Sequence, residues 1–492
     1  MSRRTTTLFT VGMALWFLGD SIPVLSSPLT GTDSRRPAAQ LNFDYVITAD
    51  TFYYATSPQQ GRPPDGSLAA GTKVAVLRRQ SSYSLVQSQG GERGYVATTA
   101  LKSVVAAERA ALRSQVEKVV DGSNRFAFDL YQGLRGTEGN LFCSPASISA
   151  ALAMALNGTG GQTATELAKT LHLQMPEAQV NRQMRALQGS WQIKDARQGV
   201  RIEVANRLWG QEGFQFLPEF LQTTRNDYGA ELGRLDFKND AQQARRTIND
   251  WVEEHTGHKI QNLIASPKLL HDARLVLTNA IYFKGSWQTP FAKRLTKEQA
   301  FHPKDGREIK IPFMHSARHF RYAAGDDLQI LQLPYGDGSF SMIALLPSSV
   351  DGLAGLEKAL SAENLQAWIN GLRSTEVEVF LPKFKTTSQF QLADTLKSLG
   401  MTRAFEPSAD FSRMSIEKDL FLSAVIHKAF VDVNEEGTEA AAATAMMATV
   451  GAAPGPRPEP PVFRADHPFV FLIRDERTEA VLFLGRIVDP TR

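Results

Sequence analysis

The chain has 492 residues, one cysteine and a formal net charge of +3, with 54 Lys and Arg against 51 Asp and Glu. A chain of this length can form two or three domains with a large core, and its even charge balance contains no basic tract of the kind that nucleic-acid binding needs. The single cysteine, Cys143, excludes an intramolecular disulfide framework and a cysteine-based metal site. Because Cys143 lies in an apolar run, we expect a buried, inert thiol, and we expect no metal, cofactor or nucleic acid.

Residues 1–27 are predicted to be an export signal. Two arginines precede the apolar segment Leu8–Leu18, and small residues follow it up to Ser26, which is the usual order of a signal peptide. The apolar segment is too short and too interrupted for a membrane span. We expect cleavage near Ser26, with a retained anchor as the alternative, and a secreted, periplasmic or extracellular protein. Residues 28–42 are rich in Ser, Thr, Pro and Arg and are predicted to be a disordered linker.

Residues 43–105 are predicted to form a small all-β domain, because short alternating segments are separated by turn residues. These segments are Tyr45–Thr48, Lys73–Leu77, Tyr83–Val86 and Gly94–Val96. The runs Gly71–Leu77 and Gly94–Ala97 resemble a bacterial SH3-like domain, and this resemblance implies a cell-wall or peptide ligand. Tyr53, Tyr54 and Tyr83 could line a binding surface, although a place in the core of so small a barrel is the favoured interpretation.

The next residues are predicted to be helical. Residues 106–114 form a helical connector in this interpretation, and a longer helix starts near Ser123, since apolar residues recur at helical spacing over Phe126–Leu134. A second, small-residue helix covers Ala150–Asn157. Ser144 is a plausible N-cap for it, with a proline at the first helical position.

The segment Leu275–Trp287 is a long apolar strand that ends in a turn. It almost lacks polar alternation, which indicates burial on both faces in the middle of a large sheet.

The segment Glu435–Ala453 carries two conflicting patterns. Its alanine content favours a helix, yet it lies between β-rich runs. Counted in twos from Thr438, every residue of one face up to Ala448 is small or apolar, so a strand could bury this face and leave Glu439 in water. Gly437 supplies a backbone position that is free to change conformation. The segment can therefore be an exposed loop or a strand inserted into a sheet. A flexible Ala/Pro linker is the alternative.

At these residues the chain resembles a serpin. Glu435–Thr444 is similar to the hinge of an inhibitory serpin's reactive-centre loop, and Phe463–Ile473 is similar to the family signature that follows the loop. The resemblance implies an α+β serpin fold over residues 115–492, with a large mixed central β-sheet, helices and an exposed reactive-centre loop. The sequence contains neither His-Glu-x-x-His nor Gly-x-Ser-x-Gly. We therefore expect an inhibitor and not an enzyme.

The resemblance also implies functional residues. The reactive bond joins Gly451 and Ala452, with Val450–Gly451 as the neighbouring alternative. The implied loop hinge is Glu435, Gly437, Thr438, Ala440, Ala442 and Thr444. At the "breach", where the loop would enter the sheet, the implied residues are Trp287, Lys383 and Glu435. At the "shutter" beneath the sheet they are Ser144, Ser147, Asn279 and His427.

The implied mechanism is suicide inhibition: a serine protease forms an acyl-enzyme with the loop, and the cut loop enters the sheet. The inserted strand gains backbone hydrogen bonds and buries its inward side chains. The free energy released, on the order of 15 kcal/mol or more, could then deform the protease. We expect a monomer. The small residues Ala448–Gly451 fit an elastase-like or subtilisin-like target. A trypsin-like target does not fit, because no Lys or Arg lies beside the bond. The alternative is a non-inhibitory serpin that serves as a binding, chaperone or wall-associated module.

Overall fold

The computed structural model describes residues 41–56, 63–79, 81–192, 199–438 and 459–492. The predicted signal lies outside the described residues, as does most of the predicted linker. Backbone contacts divide the chain into two compact units, residues 1–104 and residues 105–492.

The described part of the first unit consists of short strands. These are β1 Tyr45–Ile47, β2 Thr51–Tyr53, β3 Gly66–Leu68, β4 Lys73–Arg78, β5 Tyr83–Ser88, β6 Arg93–Ala97 and β7 Leu101–Ser103. An antiparallel sheet has the order β6-β5-β4-β1-β7, and β2 pairs with β3. The core of this unit contains Ile47, Leu68, Val74, Val86 and Val96. Strands β1, β4, β5 and β6 coincide with the four predicted segments, while the SH3-like resemblance stays a prediction.

Helices α1 to α9 all lie from Val104 onward. They are α1 Val104–Leu134, α2 Pro145–Leu156, α3 Gly161–Thr170, α4 Glu177–Trp191, α5 Pro218–Tyr228, α6 Ala241–His255, α7 Leu353–Ala359, α8 Ala362–Gly371 and α9 Ala393–Ser398. Short 3-10 turns lie at Thr98–Ala100, Pro267–Leu269, Lys293–Leu295 and Arg403–Phe405. Among the described residues, no helix combines the length and apolar character that a membrane crossing requires.

The predicted start of the first long helix near Ser123 is wrong. The connector and that helix are one continuous helix, α1, in which Ser123 is buried. Val116, Val119 and Val120 are also fully buried. Their spacing of three to four residues keeps an apolar face along residues 115–122, between the predicted connector and the predicted helix start.

The strands of the second unit form two sheets. In chain order they are β8 Leu141–Cys143, β9 Val200–Gln211, β10 Gly233–Leu235, β11 Leu275–Ser286, β12 Lys297–Phe301, β13 Ile309–Ala324, β14 Leu328–Tyr335, β15 Phe340–Pro347, β16 Arg373–Pro382, β17 Phe384–Gln391, β18 Leu422–Asn434, β19 Gly437–Thr438, β20 Val462–Arg464, β21 Phe469–Asp475 and β22 Val481–Ile487. The central sheet has the order β10-β9-β11-β19-β18-β17. The second sheet has the order β20-β16-β13-β14-β15-β21-β22-β8, and β12 pairs with β13.

Strand β11 is buried on both faces, as predicted. Leu277 and Phe283 belong to the core between the two sheets, whereas Val276 and Tyr282 pack on the opposite face with α6. This double burial explains why the strand almost lacks polar residues.

The central sheet is mixed. Strands β11 and β18 run parallel and pair directly over Leu275–Tyr282 and Leu422–Phe430. The short strand β19 lies between their ends and is antiparallel to both. The centre of the sheet therefore contains two neighbours that separate at one end to admit a third strand.

Candidate functional site

Polar side chains beneath the central sheet form one largely buried group, which we call the shutter cluster. Its members are Ser144, Ser147, Asn206, Asn279 and His427. Asn206, Asn279 and His427 stand side by side because β9, β11 and β18 pair them in register. Asn279 Nδ2 donates to Ser147 Oγ at 2.7 Å and also to Asn206 Oδ1. The cluster thus ties helix α2 to three strands of the central sheet.

His427 is held as the neutral ring with its proton on Nδ1. Its Nε2 accepts a hydrogen bond from the backbone N–H of Ser144 at 3.1 Å, so Nδ1, 2.5 Å from Asn279 Oδ1, must donate. A second proton on the ring would face the Ser144 N–H. Complete burial lowers the pKa of His427 to about 3. The ring can therefore bridge the sheet and α2 without carrying charge at neutral pH.

Ser144 performs two further tasks. Its Oγ accepts a hydrogen bond from the N–H of Ser147 and caps α2, whose first residue is Pro145, so the predicted cap is confirmed. The same Oγ donates to the carbonyl of Leu482 on β22 at 2.7 Å. The neighbouring Cys143 is buried, as predicted. Burial raises the pKa of its thiol to about 12, which disfavours the reactive thiolate.

The segment that leads into the loop is anchored through Glu435. The Lys383 Nζ lies 3.0 Å from one carboxylate oxygen of Glu435, and the Thr296 hydroxyl donates to the other at 2.9 Å. Burial alone would raise the pKa of Glu435, but a backbone hydrogen bond and the bonds from Lys383 and Thr296 outweigh it and lower the pKa. The carbonyl of Glu435 also accepts from the N–H of Phe291 at 2.8 Å. This residue is therefore fixed by both its side chain and its backbone.

Trp287 supports the same segment from below. Its indole Nε1 donates to the carbonyl of Asn434 at 2.9 Å, and its backbone N–H donates to the carbonyl of Glu436 at 2.9 Å. The indole stacks on Tyr335 with ring centroids 4.5 Å apart. Only 4% of Trp287 is exposed. Trp287 is thus both a core aromatic and a hydrogen-bond donor to the loop base, by which we mean Asn434–Glu436.

Two residues of the predicted hinge are already inside the central sheet. Gly437 and Thr438 form β19, and Thr438 is fully buried. Gly437 has φ of +150°, and a Cβ atom there would overlap the carbonyl oxygen of Gly285, so only glycine fits. The sequence left open whether the segment is an exposed loop or an inserted strand. In the structure its two residues Gly437 and Thr438 are inserted, because β11 and β18 leave an opening that these small residues fill.

The remaining predicted loop residues lie outside the described part of the chain. These are Ala440, Ala442, Thr444, Val450, Gly451 and Ala452.

Sequence reasoning missed three side chains of the site: Asn206, Thr296 and Tyr335. Asn206 could have been found by pairing β9 with β11, since it then falls opposite Asn279. Thr296 and Tyr335 carry no local signal. Each meets its partner across more than a hundred positions of sequence, Thr296 with Glu435 and Tyr335 with Thr438.

Comparison with known proteins agrees with this geometry. The serpin (serine protease inhibitor) family model matches residues 121–490. The chain therefore belongs to the serpin family, whose members are protease inhibitors and not catalytic enzymes. It is 41% identical over 385 residues to the leukocyte elastase inhibitor of Sus scrofa, covering 76% of this chain and 100% of that protein. It is 38% identical over 390 residues to Serpin B3 of Homo sapiens, covering 75% and 99%.

Solved serpin structures show the same fold as residues of this chain. Serpin48 of the insect Tenebrio molitor is 31% identical, with a TM-score of 0.68 over 76% of this chain and 98% of that one. Uncleaved ovalbumin is 30% identical, with a TM-score of 0.68 over 76% of this chain and 100% of that one. Both alignments cover about three quarters of the chain, so the predicted serpin fold is confirmed.

Proposed function

We propose that this chain inhibits a serine protease as a suicide substrate. The protease attacks a carbonyl of the reactive-centre loop and forms an acyl-enzyme with its own nucleophile. The cut loop then enters the central sheet between β11 and β18 and carries the attached protease with it. The proposal goes beyond family membership: it states that this chain is an inhibitory serpin.

The single observation that carries the proposal is the pairing of β19. Thr438 is opposite Gly285 on β11 and Val433 on β18, antiparallel to both strands. A longer strand in the same direction would continue this pairing along the sheet. Because side chains alternate in a strand, Ala440, Ala442 and the later residues of that face would follow Thr438 inward, and all of them are small or apolar.

The direct pairing of β11 with β18 sets the energy of insertion. Insertion breaks one parallel ladder, Leu275–Tyr282 with Leu422–Phe430, and makes two antiparallel ones, which are slightly more stable per residue. The net gain is about one backbone hydrogen bond for each inserted residue, worth roughly 1 kcal/mol. Burial of the small inward side chains adds to this gain. An insertion of roughly ten residues would thus release on the order of 10 kcal/mol or more.

For the target we propose an elastase-like or subtilisin-like protease, cut at Gly451–Ala452 or one bond earlier. The small residues beside these bonds and the similarity to relatives named leukocyte elastase inhibitor support this choice. We also propose that residues 1–27 direct export, that the protein acts outside the cytosol as a monomer, and that the first unit binds a cell-wall component or a peptide.

The test is a gel with mass spectrometry. The purified chain is mixed with elastase, with subtilisin and with trypsin as the control, and each mixture is boiled in SDS. A protease-sized upward shift with elastase or subtilisin, together with release of the C-terminal peptide that starts at Ala452 or Gly451, supports the proposal. Complete cleavage without a covalent band, or no reaction with any of the three, would assign the chain to the non-inhibitory serpins.

A further inference from the structure

A cavity of about 430 Å³ lies beside the loop base, within the second unit. Its walls come from the residues that follow β11, from β13 and β14, and from α1. Arg109, Arg318 and Arg321 line it together with Gln288 and Gln332. This volume is within the range of sites that bind small organic molecules. Nothing in the inhibitory mechanism uses this cavity.

Among the described residues, no carboxylate forms an ion pair with the arginines of the cavity. Arg318 donates to the backbone carbonyls of Thr289 and Pro290, and Arg321 donates to Gln332 Oε1 and to the carbonyl of Ile369. All of these acceptors are uncharged. A partly buried guanidinium group without a counter-ion carries a desolvation cost that a bound anion would offset.

Arg109 gives a second, independent observation. Its Nε is buried and has no hydrogen-bond partner among the described residues. Buried polar groups are satisfied in the great majority of cases, so an orphaned donor at a cavity wall requires an explanation. A bound acceptor in the cavity would supply it.

The carboxylate at the cavity edge does not neutralise the arginines. Glu476 lies 2.5 Å from Arg474 Nη1 and accepts a hydrogen bond from the hydroxyl of Ser341. Both of its carboxylate oxygens are therefore engaged, one by Arg474 and the other by Ser341. Burial lowers the pKa of Arg318 to about 10, which is the expected effect when desolvation is not offset by a nearby anion.

Part of the cavity wall is apolar. Trp287, Phe320 and Leu333 form it, and the Arg318 guanidinium lies 4.9 Å from the centroid of the Phe320 ring. A free inorganic ion would meet the arginines but leave this wall uncovered. A planar apolar body bearing an acidic group would use both halves of the cavity.

We propose that this cavity binds a small aromatic acid, whose carboxylate or phosphate is received by Arg109 and Arg318 and whose ring lies along Trp287 and Phe320. The site does not depend on loop insertion. It does share Trp287 with the loop base, so an occupied cavity adds contacts to the residue that holds Asn434 and Glu436.

The experiment is calorimetric titration of the uncut full chain with phenylphosphate. Inorganic phosphate and phenol are titrated in parallel. We expect saturable binding of phenylphosphate that is at least tenfold tighter than that of either fragment. Arg109→Gln should weaken it tenfold or more, and Arg318→Gln should do the same. Arg125→Gln changes an arginine on α1 that is 59% exposed and should leave the affinity unchanged.

Arg109→Gln keeps the test decisive if Arg318→Gln proves unstable. Its lost Nε makes no hydrogen bond, so the unliganded variant should melt no lower than the wild type. Absence of saturable binding, equal binding of phosphate and phenylphosphate, or unchanged affinity in Arg109→Gln would each overturn the proposal. None of these readouts involves a protease, so they are separate from the test of inhibition.

Discussion

The hydroxyl of Tyr335 lies 2.7 Å from the Thr438 hydroxyl, and both side chains are fully buried. Tyr335 also stacks on Trp287, which holds the backbone of the loop base. Thr438, the second residue of β19, is thus bonded to the same aromatic pair that supports the residues before it. This arrangement keeps two residues of the hinge inside the sheet and makes the position of Thr438 the starting point of insertion.

Replacing Thr438 by arginine should convert the inhibitor into a substrate. Thr438 has no exposed surface, and a charge there would be desolvated beside Tyr335 without a counter-ion, at a cost of several kcal/mol. The hinge would leave the sheet and insertion would be slowed, while the rest of the fold is kept. We expect at least a tenfold rise in the number of inhibitor molecules consumed per protease inactivated.

The matched control for this change is Thr165→Arg, which places the same charge at an exposed position of α3. It should leave the stoichiometry unchanged. An SDS-stable complex formed by Thr438→Arg as efficiently as by the wild type would contradict the assigned role of Thr438.

The Tyr335–Thr438 hydrogen bond should appear as a coupling energy. Tyr335→Phe leaves the Thr438 hydroxyl buried without that partner, and Thr438→Val leaves the Tyr335 hydroxyl in the same state, each at roughly 1 to 3 kcal/mol. The double variant leaves neither group orphaned and should cost less than the sum. Denaturant midpoints of the four proteins measure this difference. Simple additivity within about 0.3 kcal/mol would mean that the bond does not hold the hinge.

The ion pair at the loop base should be sensitive to substitution and to acid. Lys383→Met removes one partner of Glu435, whose side chain is only 7% exposed, and should lower stability by roughly 1 to 3 kcal/mol. Lys385→Met is the control, since that lysine is two residues further along the chain on β17, is 66% exposed and is 3.9 Å from Asp432. Equal effects of the two substitutions would contradict a specific role for Lys383.

The pH dependence of Glu435 follows from the direction of its shift. Its pKa is lowered from 4.5 in the folded protein, so its stabilising contribution is complete above that pH and is lost as the pH falls through the folded value. Lys383→Met should move this loss to higher pH, because one of the bonds that favours the carboxylate is gone.

His427 should make the protein less stable in mild acid. Its pKa is lowered from 6.5 to about 3. Below pH 6.5 the ring therefore binds a proton in the unfolded chain but not in the folded one, and the free energy of unfolding falls. At about pH 5 the loss from this residue should be roughly 2 kcal/mol. Denaturant midpoints between about pH 7 and pH 5 check it.

His427→Gln removes the titrating ring from the same cluster and should abolish most of that pH dependence, although it lowers stability at neutral pH. His258→Gln, at a position that is 75% exposed, should leave the dependence as it is. A wild-type protein whose stability is flat over this range would show that His427 is not held neutral.

Much of the site was predictable because residue type and local spacing determine it. The cap by Ser144 and the double burial of β11 follow from residue type and spacing. The missed features are long-range. Asn206 becomes meaningful only when β9 is placed beside β11, and Tyr335 only when the second sheet is packed under the hinge. The early insertion of Gly437 and Thr438 depends on how far β11 and β18 separate, which no periodicity encodes.

The central claim is that the uncut protein stores the energy of a strand that has not fully joined its sheet. The most direct measurement is the thermal midpoint before and after a single cut between Met447 and Ala453, with the bond identified by mass spectrometry. Insertion worth on the order of 10 kcal/mol should raise the midpoint by more than about 10 °C. An unchanged or lower midpoint in the fully cut protein would contradict the claim.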